Sequence, residues 1–78
     1  MSTEDKVKKI IADAIEVQVT QIEEDTAIGD FPTWDSMGQI IIISALEKEF
    51  DIKFDPEVIM DLEDVGDMIE AVEERIPQ

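Results

Sequence analysis

The chain contains no cysteine, no histidine and no tyrosine, and only six basic residues among 78. With no cysteine there is no disulfide framework and no thiol, and a reducing compartment is permitted. With no histidine, a serine lacks its usual imidazole base, so an internal nucleophile has little to activate it. Glycine is scarce as well. The isolated residues Gly29, Gly38 and Gly66 make no phosphate-cradling loop. No apolar run approaches the roughly 18 residues that cross a bilayer, and Met1 to Lys9 is polar rather than leader-like. These absences predict a soluble cytoplasmic protein that is not an enzyme.

Acidic residues are plentiful: 21 against the six basic ones, a net charge of −15. Between Lys9 and Lys48 there is no basic residue, while Asp13, Glu16, Glu23, Glu24, Asp25, Asp30, Asp35 and Glu47 lie there. Such a surface repels phosphate backbones and anionic lipid, so neither nucleic acid nor membrane is an expected partner. It attracts proteins with basic patches and speeds their encounter. The acids do not form a calcium loop. An EF-hand register from Asp61 puts valine at its fifth and twelfth positions, and one from Glu24 puts Ile28 at the fifth. No metal site is expected.

Apolar spacing predicts an all-α fold: a four-helix bundle of three longer helices and one short helix, as a single domain over residues 1–78. The first helix is expected from Thr3 to about Val17, capped by Ser2 or Thr3, with Val7, Ile10, Ile11, Ala14 and Ile15 inward. A long connection from Gln18 to Asp35 follows. Ile22, Ile28, Phe31 and Trp34 are spaced to pin it to the core, so it is expected to be ordered. The second helix is expected from Ser36 to Phe50 with Asp35 as its N-cap. Ile40-Ile41-Ile42-Ile43 also reads as a strand, but Ser44 to Glu49 continues in good helix formers. Ile43, Leu46 and Phe50, extended by Met37 and Ile40, are taken as its inner face, with Ile41 turned elsewhere. Asp55 caps the short helix with Pro56 at its first position. The last helix starts near Asp64 with a capping-box partner in Asp67, buries Val65, Met68, Ile69, Val72 and Ile76, and stops at Pro77.

Trp34-Asp35-Ser36-Met37 is the stretch with most to say about function. Ser36 stands where the loop gives way to the helix. Two roles fit a serine there: local capping, and carriage of an anionic group favoured by free N–H groups and the helix dipole. Gly38 weakens this first turn by up to about 1 kcal/mol relative to alanine, which predicts local mobility.

Asp35-Ser36-Met37, the run Ala45-Leu46-Glu47-Lys48-Glu49-Phe50-Asp51-Ile52 and the later Val65-Gly66-Asp67 together resemble the acyl carrier protein family. The likeness extends over the whole chain with the expected spacing. It implies that Ser36 receives 4′-phosphopantetheine from coenzyme A through a separate Mg²⁺-dependent phosphopantetheinyl transferase, with Asp35 supporting the modification. The arm then carries acyl intermediates as thioesters, supplying a thiol to a chain without cysteine. The resemblance also implies a monomer that serves acyl-loading and acyl-processing enzymes with basic or mixed basic and apolar patches. Met37, Gly38, Ile41 and Glu47 are the expected docking residues. Ile40, Leu46, Ile59 and Leu62 are the expected shelter for the acyl chain, between the second and third helices. Gly38 and Ile41 stand where many fatty-acid carriers have acids, and Trp34 adds to a likeness with carriers of specialised lipid, polysaccharide or secondary-metabolite pathways. The alternative from another class is an acidic interaction module or nucleic-acid charge mimic without a cofactor.

Overall fold

A computed structural model describes residues 2–76. Its elements are α1 (Thr3–Ile15), a 3₁₀ turn at Val19–Gln21, α2 (Ser36–Phe50), α3 (Pro56–Asp61) and α4 (Val65–Arg75). The all-α architecture agrees with the apolar spacing, and each helix boundary has a local cause. Ser2 caps α1 by accepting from the Asp5 N–H at 3.1 Å. α1 ends at Ile15, short of the expected Val17, because Glu16 turns into the left-handed region at φ 59° and the Val17 N–H folds back to the Ala12 carbonyl. Asp51 ends α2 the same way at φ 53°. Pro77 lies outside the described residues.

α3 begins at Pro56 as expected, but the Asp55 side chain makes no capping bond. Its first turn rests on the backbone instead, with the Val58 and Ile59 N–H groups both donating to the Asp55 carbonyl. At α4, Asp64 accepts from the Asp67 N–H at 2.8 Å. The reciprocal bond falls one residue early, since Asp67 accepts from Glu63 rather than from Asp64. That carboxylate therefore holds the chain entering the cap.

The core is shared by three helices and the loop. Val7, Ile11 and Ile15 of α1, Ile42 and Leu46 of α2, and Val65, Met68 and Val72 of α4 are buried, closed by Ile22, Trp34, Phe54 and Leu62. The long connection is ordered, though not by all the residues expected. Ile22 and Trp34 are buried and Phe31 packs beside them, but Ile28 is exposed. Backbone pairing does what Ile28 does not. The Val65 and Gly66 N–H groups donate to the Thr26 and Glu24 carbonyls at 2.9 and 2.8 Å, and Ile28 donates to Glu63 at 3.2 Å. The loop thus satisfies N–H groups at the start of α4 that no helix can satisfy internally.

Glu24 also meets Glu4 of α1. A side-chain hydrogen bond between the two, reinforced by their mutual repulsion, holds the Glu24 carboxyl above the ordinary glutamate range, while Lys8 opposes the shift. Lys8 in turn bridges Glu4 at 3.3 Å.

Candidate functional site

Asp35 is extended backbone at the head of α2, and its Oδ1 accepts from the Gly38 N–H at 2.9 Å. That bond makes Asp35 the cap and leaves Ser36 as the first helical residue, exposed on the surface. The N–H groups of Ser36 and Met37 have no carbonyl one turn back to pair with. An anionic group on Ser36 Oγ therefore meets the positive end of a 15-residue helix. Among the described residues the hydroxyl itself makes no hydrogen bond. Of the two roles open to this serine, capping belongs to Asp35.

Gly38 is not at the surface where a docking residue belongs; it is buried. A methyl group there would overlap the Thr33 carbonyl oxygen. The loop backbone crosses so close to the first turn of α2 that only glycine admits it. The turn expected to be loosened by Gly38 is instead held from outside. Thr33 is fixed in turn, its hydroxyl donating to the Ile15 carbonyl at the end of α1 over 2.7 Å.

The buried indole of Trp34 donates to Gln39 Oε1 at 2.7 Å, and Gln39 Nε2 donates to the Leu62 carbonyl at 2.6 Å. Loop, α2 and the exit of α3 are joined through one side chain. Sequence reasoning missed Thr33 and Gln39, because both act on partners distant along the chain. The only local signal is a glycine inside the first turn of a helix, where a close backbone approach is one reason to find it.

The other expected residues separate into exposed and occupied groups. Met37, Ile40 and Ile41 are 66%, 59% and 49% exposed and form an apolar strip beside Ser36. Ile40 was expected inward with the acyl shelter. In its place Ile42 is buried, so the inner face of α2 is Gly38, Ile42, Ile43 and Leu46. Glu47 is half-buried and engaged within the fold: its Oε2 accepts from the Phe54 N–H at 2.9 Å, bracing the turn into α3. Of the four shelter residues, Leu46 and Leu62 are buried, Ile59 is half-buried and Ile40 stands outside. An open groove of about 270 Å³ flanks α3 on its α4 side, with Val58, Leu62 and Ala71 among its lining and the carboxylates of Asp61, Asp67, Glu70 and Glu74 around it.

Residues 5–72 match the model of the family described as a phosphopantetheine attachment site. An acyl carrier protein of Clostridium acetobutylicum is 35% identical over 68 residues, covering 87% of this chain and 88% of the relative. The chain belongs to the acyl carrier protein family. The solution NMR structure of a holo acyl carrier protein from Geobacter metallireducens superimposes with a TM-score of 0.84 at 27% identity, covering 96% of this chain and 86% of that one. The prosthetic group of the carrier is therefore phosphopantetheine, and the carrier is not itself an enzyme. The head of α2 suits such a group: an exposed, unbonded hydroxyl at a helix N-terminus accommodates a phosphodiester without displacing a core residue. Family membership removes the case for a charge mimic without a cofactor. Carriers of this family serve phosphopantetheinyl transferases and acyl-processing enzymes in general. Among the described residues no helix is long and apolar enough to cross a membrane.

Proposed function

We propose that Ser36 is the attachment residue, and that this chain is a free-standing, monomeric, cytoplasmic carrier formed by one domain across its length. One observation carries the reading: Ser36 is the first residue of α2, exposed and unbonded, with the capping role taken by Asp35. During modification the Ser36 hydroxyl gives up its proton to the transferase as its oxygen bonds to the phosphorus that carries pantetheine, the pyrophosphate P–O bond of coenzyme A breaks, and adenosine 3′,5′-bisphosphate leaves. The Ser36 and Met37 N–H groups then face the phosphodiester charge. Asp35 supports the step with Oδ2, the carboxylate oxygen not engaged in the cap. The bound arm supplies a terminal thiol, on which an acyl group travels as a thioester.

Partner enzymes dock on Met37, Ile40 and Ile41, the apolar strip next to the attachment point. Net charge −15 steers basic patches toward it. Gly38 and Glu47 leave this docking set, since one is buried and the other is spent on Phe54. An apolar rather than acidic start to α2 favours partners with mixed basic and apolar patches. It supports a specialised lipid, polysaccharide or secondary-metabolite pathway over housekeeping fatty-acid synthesis. Incubating the chain with coenzyme A, Mg²⁺ and a broad-specificity transferase is expected to add the mass of one phosphopantetheine. An unaltered mass in a folded chain overturns the proposal. Turnover with fatty-acid-synthase enzymes equal to that of a housekeeping carrier overturns the specialised assignment.

A further inference from the structure

We infer that the Gln39 side chain is a latch holding α3 against α2, and that its release opens the seam through which the acyl chain is sheltered. The inference rests on the carrier reading above and adds a residue that positions α3 rather than touching the reacting atoms.

α3 is poorly anchored. It has six residues, none fully buried; Val58 and Ile59 are half-buried, and Met60 is 80% exposed. At its exit, two successive carbonyls are gripped from different sides. Ile28 of the loop donates backbone N–H to Glu63, and Gln39 of α2 donates Nε2 to Leu62. The Glu63 grip belongs to the pairing that fixes the start of α4. The Leu62 grip ties α3 to α2. Losing it lets α3 swing about Glu63 while α4 stays in place.

The amide has only one workable orientation. The Trp34 indole is a donor and nothing else, so Oε1 must face it, which turns Nε2 toward the Leu62 carbonyl. Trp34 is fully buried and cannot follow if Gln39 moves. The latch is therefore two-ended: opening it costs the Leu62 bond and also leaves a buried indole N–H without its acceptor. The open groove beside α3 lies on its α4 side, lined by Leu62 but by no residue of α2, so the seam the latch closes is a different one, facing α2.

Two variants of the full chain separate the ends. Gln39→Leu keeps the bulk and removes both bonds. Gln39→Glu keeps an acceptor for Trp34 but sets an oxygen against the Leu62 carbonyl. Hydrogen exchange on the unmodified chain is expected to accelerate about threefold to tenfold at the Ile59 and Leu62 N–H groups in both variants. In Gln39→Glu, which keeps the acceptor for Trp34, exchange at Ile11 and Ile15 in α1 is expected to stay unchanged. Equal rates at α3 in wild type and variants, or an equal rise throughout the chain in Gln39→Glu, overturn the latch.

The second arm uses Trp34, the only tryptophan in a chain without tyrosine, as an intrinsic fluorophore. Loading a saturated acyl group onto the wild-type carrier is expected to shift its emission, and the shift should be lost in Gln39→Leu. A loaded wild-type chain whose emission does not move overturns the gating role. If no group can be loaded at all, the carrier reading fails, while the exchange result still decides whether Gln39 holds α3.

Discussion

Gly38 sets two effects of opposite sign against each other. Alanine there gains up to about 1 kcal/mol in helix propensity. It also drives a methyl group into the Thr33 carbonyl, and overpacking of this kind costs about 1–3 kcal/mol. Backbone has no rotamer to escape into, so the clash wins. Gly38→Ala is expected to lower stability in urea unfolding; a stabilised variant contradicts the close approach. Asp35 carries two roles that substitution can divide. Asp35→Ala loses the cap and is expected to lose about 1 kcal/mol. Asp35→Asn keeps a cap of similar quality, so its stability is expected within about 0.5 kcal/mol of wild type while transferase-dependent modification slows. Equal modification rates for Asn and Asp restrict this residue to capping.

For α2 as an element, the question is which of its four consecutive isoleucines face inward. Ile42→Ala removes a fully buried side chain and is expected to cost about 2–5 kcal/mol, whereas Ile40→Ala at the exposed strip is expected to change stability by less than about 0.5 kcal/mol. Comparable losses at both sites contradict the observed phase. The same helix marks where reading along the chain stops being informative. Its limits and its cap were legible, because Asp35, Ser36 and the run to Phe50 act locally. Its rotation was not, because isoleucines at 40, 41, 42 and 43 cover most of the helix circumference and give periodicity nothing to choose between. Rotation is fixed by how the chain packs around the helix: the Thr33 carbonyl crosses Gly38 from the preceding loop, and Gln39 joins Trp34 of that loop to Leu62, 23 residues on. α1 and α4, with cleaner stripes, showed most of their inner faces directly, although Ala12 and Ala71 are buried as well and Ile10, Ala14 and Ile76 are only half-buried. At the candidate site, Ser36 and Asp35 were legible for the same local reason. Glu47 misled because its carboxylate is spent on a backbone N–H seven residues on.

For the whole molecule, a charge of −15 makes self-repulsion a general burden that salt relieves. One contact concentrates it. Glu24 on the loop faces Glu4 on α1, and its folded pKa is raised. The folded chain holds that proton more tightly than the unfolded one, so the pair favours folding at acid pH. This contribution is lost as pH rises from the ordinary glutamate range through the raised folded value. Glu24→Gln is expected to raise Tm at neutral pH, with the difference vanishing in acid where both carboxyls are protonated. A difference independent of pH contradicts the coupling.

The three serines, Ser2, Ser36 and Ser44, stand at the head of α1, the head of α2 and the middle of α2. Mass analysis of peptides from the transferase-treated chain reads directly which of them is modified. One phosphopantetheine is expected on the peptide containing Ser36, and none on a folded Ser36→Ala chain. A modified Ser2 or Ser44, or an arm accepted by Ser36→Ala, would contradict attachment at Ser36.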